Sequence, residues 1–139
     1  MWHVYANYAK MKGQKAPFTS VTTKPMIGAV ASIDSASKKA WGLVGNNVFD
    51  TRFNPYGETL VDRTTVRLDG IKSGDASGKV YVTLSRIPYN NFNEVTDAQV
   101  VKILNNVPYT VTGGRVIVTI PWERNDNGYF LEVSNVLPY

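Results

Sequence analysis

The sequence predicts an all-β fold, an antiparallel β-sandwich or jelly roll with a short N-terminal helix. From residue 26 onward, apolar and polar side chains alternate in short runs, as in strands that bury one face. Turn-forming residues separate the runs, most clearly Gly113-Gly114, where both glycines tolerate the positive φ of a tight turn. Seven or eight strands joined by short turns fit two packed sheets.

The first residues follow a different pattern. Trp2, Tyr5, Ala6 and Ala9 recur at helical spacing, and Gly13 is placed to cap the end of a helix. Positions 1–2 offer no N-cap, so we expect the helix to begin in a longer chain. The predicted organisation is a helical stump of a preceding domain (1–13), a linker (14–25) and a β-sandwich domain (26–139). The alternative is a helix that packs on its own β-domain.

The later runs are predicted as strands or loops. Strands are expected at 27–33 and 40–44 around a turn at 34–38, at 59–68, at 79–87, at 109–112 and 115–120 as a hairpin around two glycines, and at 129–133. Val80, Val82 and Leu84 should face the core, and Ser85 should face solvent. Periodicity leaves 96–105 open between a helical turn and an irregular strand.

Composition restricts the possible functions. The 139 residues are 43% hydrophobic, and no apolar run approaches the roughly 20 residues of a membrane span. Cysteine is absent, which excludes disulfides and thiolate chemistry. Apart from Lys10, Lys12 and Lys15, basic residues alternate with acidic ones, so the net charge of +4 forms no dense patch. We expect no nucleic-acid and no membrane partner.

Catalytic and metal sites are not expected. The single histidine, His3, excludes a multi-histidine metal site within this chain and leaves no second histidine for catalysis. The acidic residues stand singly, and a small hydrolase would need two of them to meet in space. Residues 125–128 offer calcium-type oxygens without the terminal acidic ligand, and a tight turn explains them better. We expect no enzyme activity, no metal and no cofactor.

Two loops rich in aromatic and amide side chains, with the turn near Trp122, are the candidate site. Rings of this kind stack on the C–H faces of sugars, while amides and arginine bind the hydroxyl groups. The candidate carbohydrate-binding residues are Phe53, Asn54, Tyr56, Tyr89, Asn90, Asn91, Phe92, Trp122 and Arg124. Trp122 can equally serve in packing. Trp41 is expected in the core, because it alternates with Leu43 on a strand.

A family resemblance is carried by segments spread over nearly the whole chain: 2–13, 29–34, 39–45, 65–68, 80–88, 116–122 and 128–134. Residues 2–13 look like the last helix of a barrel. The rest resembles the C-terminal accessory β-domain that follows the (β/α)8 barrel in certain glycoside hydrolases, such as β-xylosidase-like enzymes. The resemblance implies a non-catalytic β-sandwich that binds glycan or braces the barrel, and it supplies no fixed set of binding residues.

The predicted function is a non-catalytic carbohydrate-binding module that recognises a plant or algal β-glycan. Its expected partners are a polysaccharide or oligosaccharide and the catalytic barrel of a parent glycoside hydrolase. The alternative is a structural accessory domain that braces the barrel without a ligand of its own. Residues 1–16 lack the pattern of a signal peptide, so the expected location, secreted or extracellular as part of a bacterial glycoside hydrolase, depends on a parent chain.

Overall fold

The computed structural model describes residues 6–19, 27–46, 63–87, 100–121 and 128–139. In these ranges residues 6–8 are helical, and strands make up most of the remainder. The strands are β1 Gln14–Ala16, β2 Ile27–Asp34, β3 Lys39–Asn46, β4 Arg63–Asp69, β5 Ile71–Ser73, β6 Lys79–Ile87, β7 Val101–Thr110, β8 Arg115–Pro121, β9 Gly128–Ser134 and β10 Val136–Pro138. The predicted fold class, an all-β sandwich with a short N-terminal helix, is confirmed.

The strands form one large sheet and two short ladders. The large sheet has six strands in the order β1-β2-β3-β9-β6-β7, and every neighbouring pair is antiparallel. β4 pairs with β8, and β5 pairs with β10, again antiparallel. Buried side chains of the large sheet and of both ladders meet in one apolar core. The two ladders therefore cover one face of the six-stranded sheet, which we call the inner face.

The inner face is mostly aliphatic, with the fully buried Tyr129 as its aromatic member. Val80, Val82 and Leu84 of β6 are fully buried, as their alternation predicts. They share the core with Val118 and Ile120 of β8, which are also fully buried. Each such side chain contributes roughly 1.5–3 kcal/mol by leaving water.

The opposite face of the six-stranded sheet, the outer face, holds a second buried cluster. Trp41, Ile87 and Phe130 form it, and Met11 packs against them. Trp41 is thus buried as predicted, although on the outer face. Residues 6–13, which we call the N-terminal segment, supply Met11 and the buried Asn7. The described end of the helix therefore packs on the chain's own sheet.

Gly13 connects the N-terminal segment to β1. The helix predicted within residues 1–13 ends at residue 8, because the amides of Lys10 and Met11 donate to carbonyls three residues back and tighten the chain into a turn. Gly13 then adopts a φ of 80°, and a Cβ on it would lie 2.1 Å from the Ile33 carbonyl oxygen. Only glycine allows this approach. Gln14–Ala16, which was expected to be linker, consequently pairs with β2 as an edge strand.

The structure corrects one prediction of side-chain burial and one prediction of strand pairing. Ser85 is buried, because it lies on the outer face beside Phe130 rather than toward solvent. The turn at Gly113-Gly114 is present, with φ of 59° and 73° and a bridge between Thr112 and Arg115. Beyond that bridge the predicted hairpin is wrong. β7 pairs with β6 and β8 pairs with β4, so the two strands belong to opposite layers of the sandwich. Residues 101–105 belong to β7, an irregular strand with register shifts.

Candidate functional site

The nine residues that the sequence selects for carbohydrate binding lie outside the described residues. This applies to Phe53, Asn54, Tyr56, Tyr89, Asn90, Asn91, Phe92, Trp122 and Arg124. Their role stays a prediction. The site that the structure does describe is built from other parts of the sequence.

An open groove of about 700 Å³ lies at one end of the sandwich, where β5, the turn of residues 74–78, the Gly113-Gly114 turn and Tyr139 meet. We call it the β5 groove. Tyr139 contributes an aromatic ring whose residue is 87% exposed. Lys72, Ser73 and Asp75 contribute polar groups to the same wall. The groove thus combines one accessible ring with a charged and hydroxylated border.

The turn of residues 74–78 is organised by the Asp75 carboxylate. The Ser77 backbone amide donates to Asp75 Oδ1 at 2.9 Å, and the Ser77 hydroxyl donates to the same oxygen. These bonds favour the ionised form, above all the bond from the Ser77 hydroxyl, and lower the pKa of Asp75 from 3.8 to about 2. Asp75 is therefore a fixed negative charge at neutral pH, and its hydrogen bonds hold the turn in one conformation.

Residues distant in sequence attach this turn to the sandwich. The Asn135 side-chain amide donates to the Lys79 carbonyl at 3.0 Å, and the Gly74 amide donates to the Asn135 carbonyl at 2.8 Å. The Lys38 ammonium donates to the Gly74 carbonyl at 3.1 Å. Asn135 has a φ of 57°, a conformation that asparagine tolerates better than most residues. The turn of residues 74–78 is consequently attached to the sandwich through both Asn135 and Lys38.

The other wall is bare backbone. Gly113 and Gly114 have no side chains, so a ligand can approach their peptide groups closely. The Gly114 carbonyl accepts a hydrogen bond from the Ile71 amide at 3.2 Å, which ties the turn to β5. The Tyr139 amide donates to the Gly70 carbonyl at 2.8 Å, so the backbone that carries the ring is also tied to the groove.

The groove offers an aromatic ring, charged side chains and backbone peptide groups to a ligand. A sugar offers C–H faces for the Tyr139 ring and hydroxyls for Lys72, Asp75 and the exposed peptide groups. In the part of the chain that the structure describes, no group of three or more His, Cys, Asp or Glu side chains is arranged to hold a metal ion. In the same part no helix has the length and apolar character of a membrane span.

Both turns of the groove carry turn-forming residues in the sequence, and no sequence signal marks them as parts of a site. Lys72 to Gly78 combines glycine, serine and aspartate, and Gly113-Gly114 is the clearest turn of the chain. No sequence pattern predicts that the two turns are close in space, because their proximity depends on the position of β5 beside the Gly114 carbonyl. Tyr139 carries no local signal beyond its aromatic character.

Comparison with known proteins extends the description of the fold. No protein-family profile matches the chain, and no curated protein matches it. Among solved structures, N2152 from Neocallimastix frontalis is similar, with a TM-score of 0.75 and 14% sequence identity. The similarity covers 96% of this chain and 30% of that one, so the chain spans less than a third of the length of the solved protein it matches. The comparison shows that this chain has the same fold as part of that longer protein.

Proposed function

We propose that this chain is a non-catalytic carbohydrate-binding module that holds a plant or algal glycan in the β5 groove. The observation that carries the proposal is the exposed Tyr139 ring beside a groove bordered by Lys72, Asp75 and side-chain-free glycine backbone. Stacking of one ring on a sugar and hydrogen bonds to its hydroxyls are what such a surface provides.

Two further observations support the proposal. The first is the resemblance that predicts an accessory β-domain of a barrel glycoside hydrolase, which stays an expectation, and the second is that the fold covers about 30% of a longer chain, which fits a module. Affinity should be modest, on the order of micromolar to millimolar, because a stacked ring contributes about 1 kcal/mol and ordering costs offset part of it.

The test is affinity electrophoresis in gels that contain xylan, mixed-linkage glucan, xyloglucan, mannan or agar. We expect retardation in at least one gel and its loss in Tyr139→Ala. Tyr56→Ala, Tyr89→Ala and Trp122→Ala test the residues chosen from the sequence. Tyr8→Ala is the matched control, since it removes an exposed tyrosine of the N-terminal segment and leaves the groove intact. Migration that no polysaccharide changes would contradict the proposal.

A second candidate is a structural accessory domain that packs against a catalytic barrel. The observation that favours it is the exposure of Tyr8 at 48% and Phe18 at 49%, one on each side of Gly13. Without a partner domain, these rings should promote self-association. Sedimentation velocity should then show oligomers that Tyr8→Ser with Phe18→Ser dissolves, together with unretarded migration in every polysaccharide gel. A monomer that is retarded contradicts this candidate.

A further inference from the structure

A second cavity lies on the outer face of the six-stranded sheet, between the N-terminal segment and strands β6, β7 and β9. Its volume is about 410 Å³, within the range of roughly 300–1,000 Å³ that is typical of small-molecule sites. We call it the outer-face pocket. It is separate from the β5 groove and has a different composition, since its wall holds two lysines, one glutamate and several uncharged polar groups.

The strand register orders these groups in two rows. Lys102, Ser85 and Phe130 stand next to each other on β7, β6 and β9. In the next row Thr83 stands beside Glu132. Adjacent strands lie about 4.8 Å apart, so each row spans roughly 10 Å or less, the size of a sugar ring with its substituents.

Two lysines line the pocket, and the contacts of one of them, Lys10, are defined. The Lys10 ammonium donates to Asn7 Oδ1 at 3.3 Å and lies 5.9 Å from the centre of the Phe130 ring, which is within the range of a cation–π contact. Asn7 itself is buried. Lys102 is exposed on the adjacent wall. Two ammonium groups therefore border the pocket, one of them held by neighbours.

Among the described residues of the pocket wall, Glu132 carries the one negative charge, and that charge is partly engaged. The Trp41 Nε1–H donates to Glu132 Oε2 at 3.0 Å, which fixes the carboxylate and occupies one of its oxygens. The two lysines exceed it in charge, so the pocket favours a ligand with one negative charge. A second acidic charge, as on phosphate, would lie close to Glu132 and be repelled. Glu132, Thr83 and Ser85 instead match ligand hydroxyls.

From this arrangement we infer that the outer-face pocket binds a hexuronate, a sugar ring that carries one carboxylate, with Lys10 and Lys102 on the carboxylate and Glu132 on a ring hydroxyl. The inference rests on the proposed function for the class of ligand, a sugar. It adds an acidic-glycan site that the β5 groove does not require.

The test compares two glycosides that differ only at C6. Methyl α-D-galacturonoside carries a carboxylate there, and methyl α-D-galactoside carries a hydroxymethyl group. Each is titrated into the ¹⁵N-labelled chain at low salt. We expect saturable shifts of the Ser85, Lys102 and Phe130 amides with the galacturonoside, at least about threefold tighter than with the galactoside. An exposed charge pair has an effect of this order.

Lysine variants test whether the preference for the galacturonoside arises at the outer-face pocket. Lys102→Met should weaken galacturonoside binding about threefold to fivefold and leave galactoside binding unchanged. Lys15→Met is the matched control, because it removes an exposed lysine of β1 that lines neither cavity and should have no effect on this titration. Equal affinity for both glycosides, or no effect of Lys102→Met, overturns the inference. Sodium phosphate that produces the same shifts at the same concentration also overturns it, in favour of general anion attraction.

Neutral polysaccharides separate this inference from the proposed function. If the chain is retarded in a neutral gel but binds no galacturonoside, the pocket inference fails and the module remains. If the galacturonoside binds at the pocket and no neutral polysaccharide retards the chain, the β5 groove fails as a glycan site while the pocket inference holds.

Discussion

The two faces of the six-stranded sheet are built differently. The inner face is covered by the β4–β8 and β5–β10 ladders and presents aliphatic side chains such as Val82 and Leu84, both fully buried. The outer face is covered by the N-terminal segment and mixes the aromatic cluster of Trp41 and Phe130 with buried polar groups such as Ser85. Aliphatic packing stabilises the fold without chemical selectivity. The outer face buries fewer aliphatic side chains, and it carries polar groups that could contact a ligand.

A leucine on each face gives the largest expected contrast. Leu84→Ala on the inner face should lower the free energy of unfolding by about 3 kcal/mol, since it leaves a cavity in a closed core. Leu43→Ala on the outer face should have about half that effect, because Leu43 is only half-buried. Denaturant unfolding of both variants measures the difference. Equal losses would show that the two faces are packed alike.

The attachment of the N-terminal segment can be broken at Gly13. Gly13→Ala should cost at least about 2 kcal/mol, since it strains a φ of 80° and places Cβ against the Ile33 carbonyl. Gly70→Ala is the control: its φ of 68° brings a similar strain, but no atom lies within 4 Å of the added Cβ, so about 1 kcal/mol is expected. If the two variants unfold alike, the segment is not held against the sheet at Gly13.

The polar bond of the outer face should be weaker than either packing effect. A double-mutant cycle with Trp41→Phe and Glu132→Leu measures it, since phenylalanine lacks the Nε1 donor and leucine lacks the carboxylate acceptor. The expected coupling is about 1 kcal/mol. A coupling near zero would mean that Glu132 is not fixed by Trp41, and would weaken the case for an ordered pocket.

The smallest effect is expected at Asp75, which belongs to neither face. Its folded pKa is lowered from 3.8 to about 2, so its contribution to stability is fully present above about pH 4 and declines as the pH falls toward 2. The Ser77 amide resonance should titrate with a midpoint near 2, and Asp75→Asn should abolish that titration. A midpoint near 3.8 would contradict the hydrogen bonds of the turn.

The sequence predicts what depends on local pattern. Alternation placed Val80, Val82 and Leu84 on the buried side of β6, and two adjacent glycines predicted the turn at 113–114. Pairing between distant strands has no local signal. For that reason the sequence does not assign β7 to the six-stranded sheet and β8 to the β4–β8 ladder, although the two strands are adjacent in sequence. The burial of Ser85 on the outer face has no local signal either.

The candidate site shows the same difference between features set by local sequence pattern and features set by long-range contacts. Aromatic and amide composition selected loops that lie outside the described residues. The β5 groove depends on contacts between Gly74 and Asn135, Ile71 and Gly114, and Gly70 and Tyr139. These are long-range backbone bonds, and no local pattern indicates which residues pair, so only the fold brings them together.

The most direct test of the central claim is a map of amide chemical-shift changes in the ¹⁵N-labelled chain, titrated with a neutral oligosaccharide from the polysaccharide that retards it. Binding in the β5 groove predicts saturable shifts that cluster at residues 70–78, 113–114 and 139 and vanish in Tyr139→Ala. Shifts confined to the N-terminal segment, or a saturating titration that leaves the groove residues unmoved, would contradict the claim.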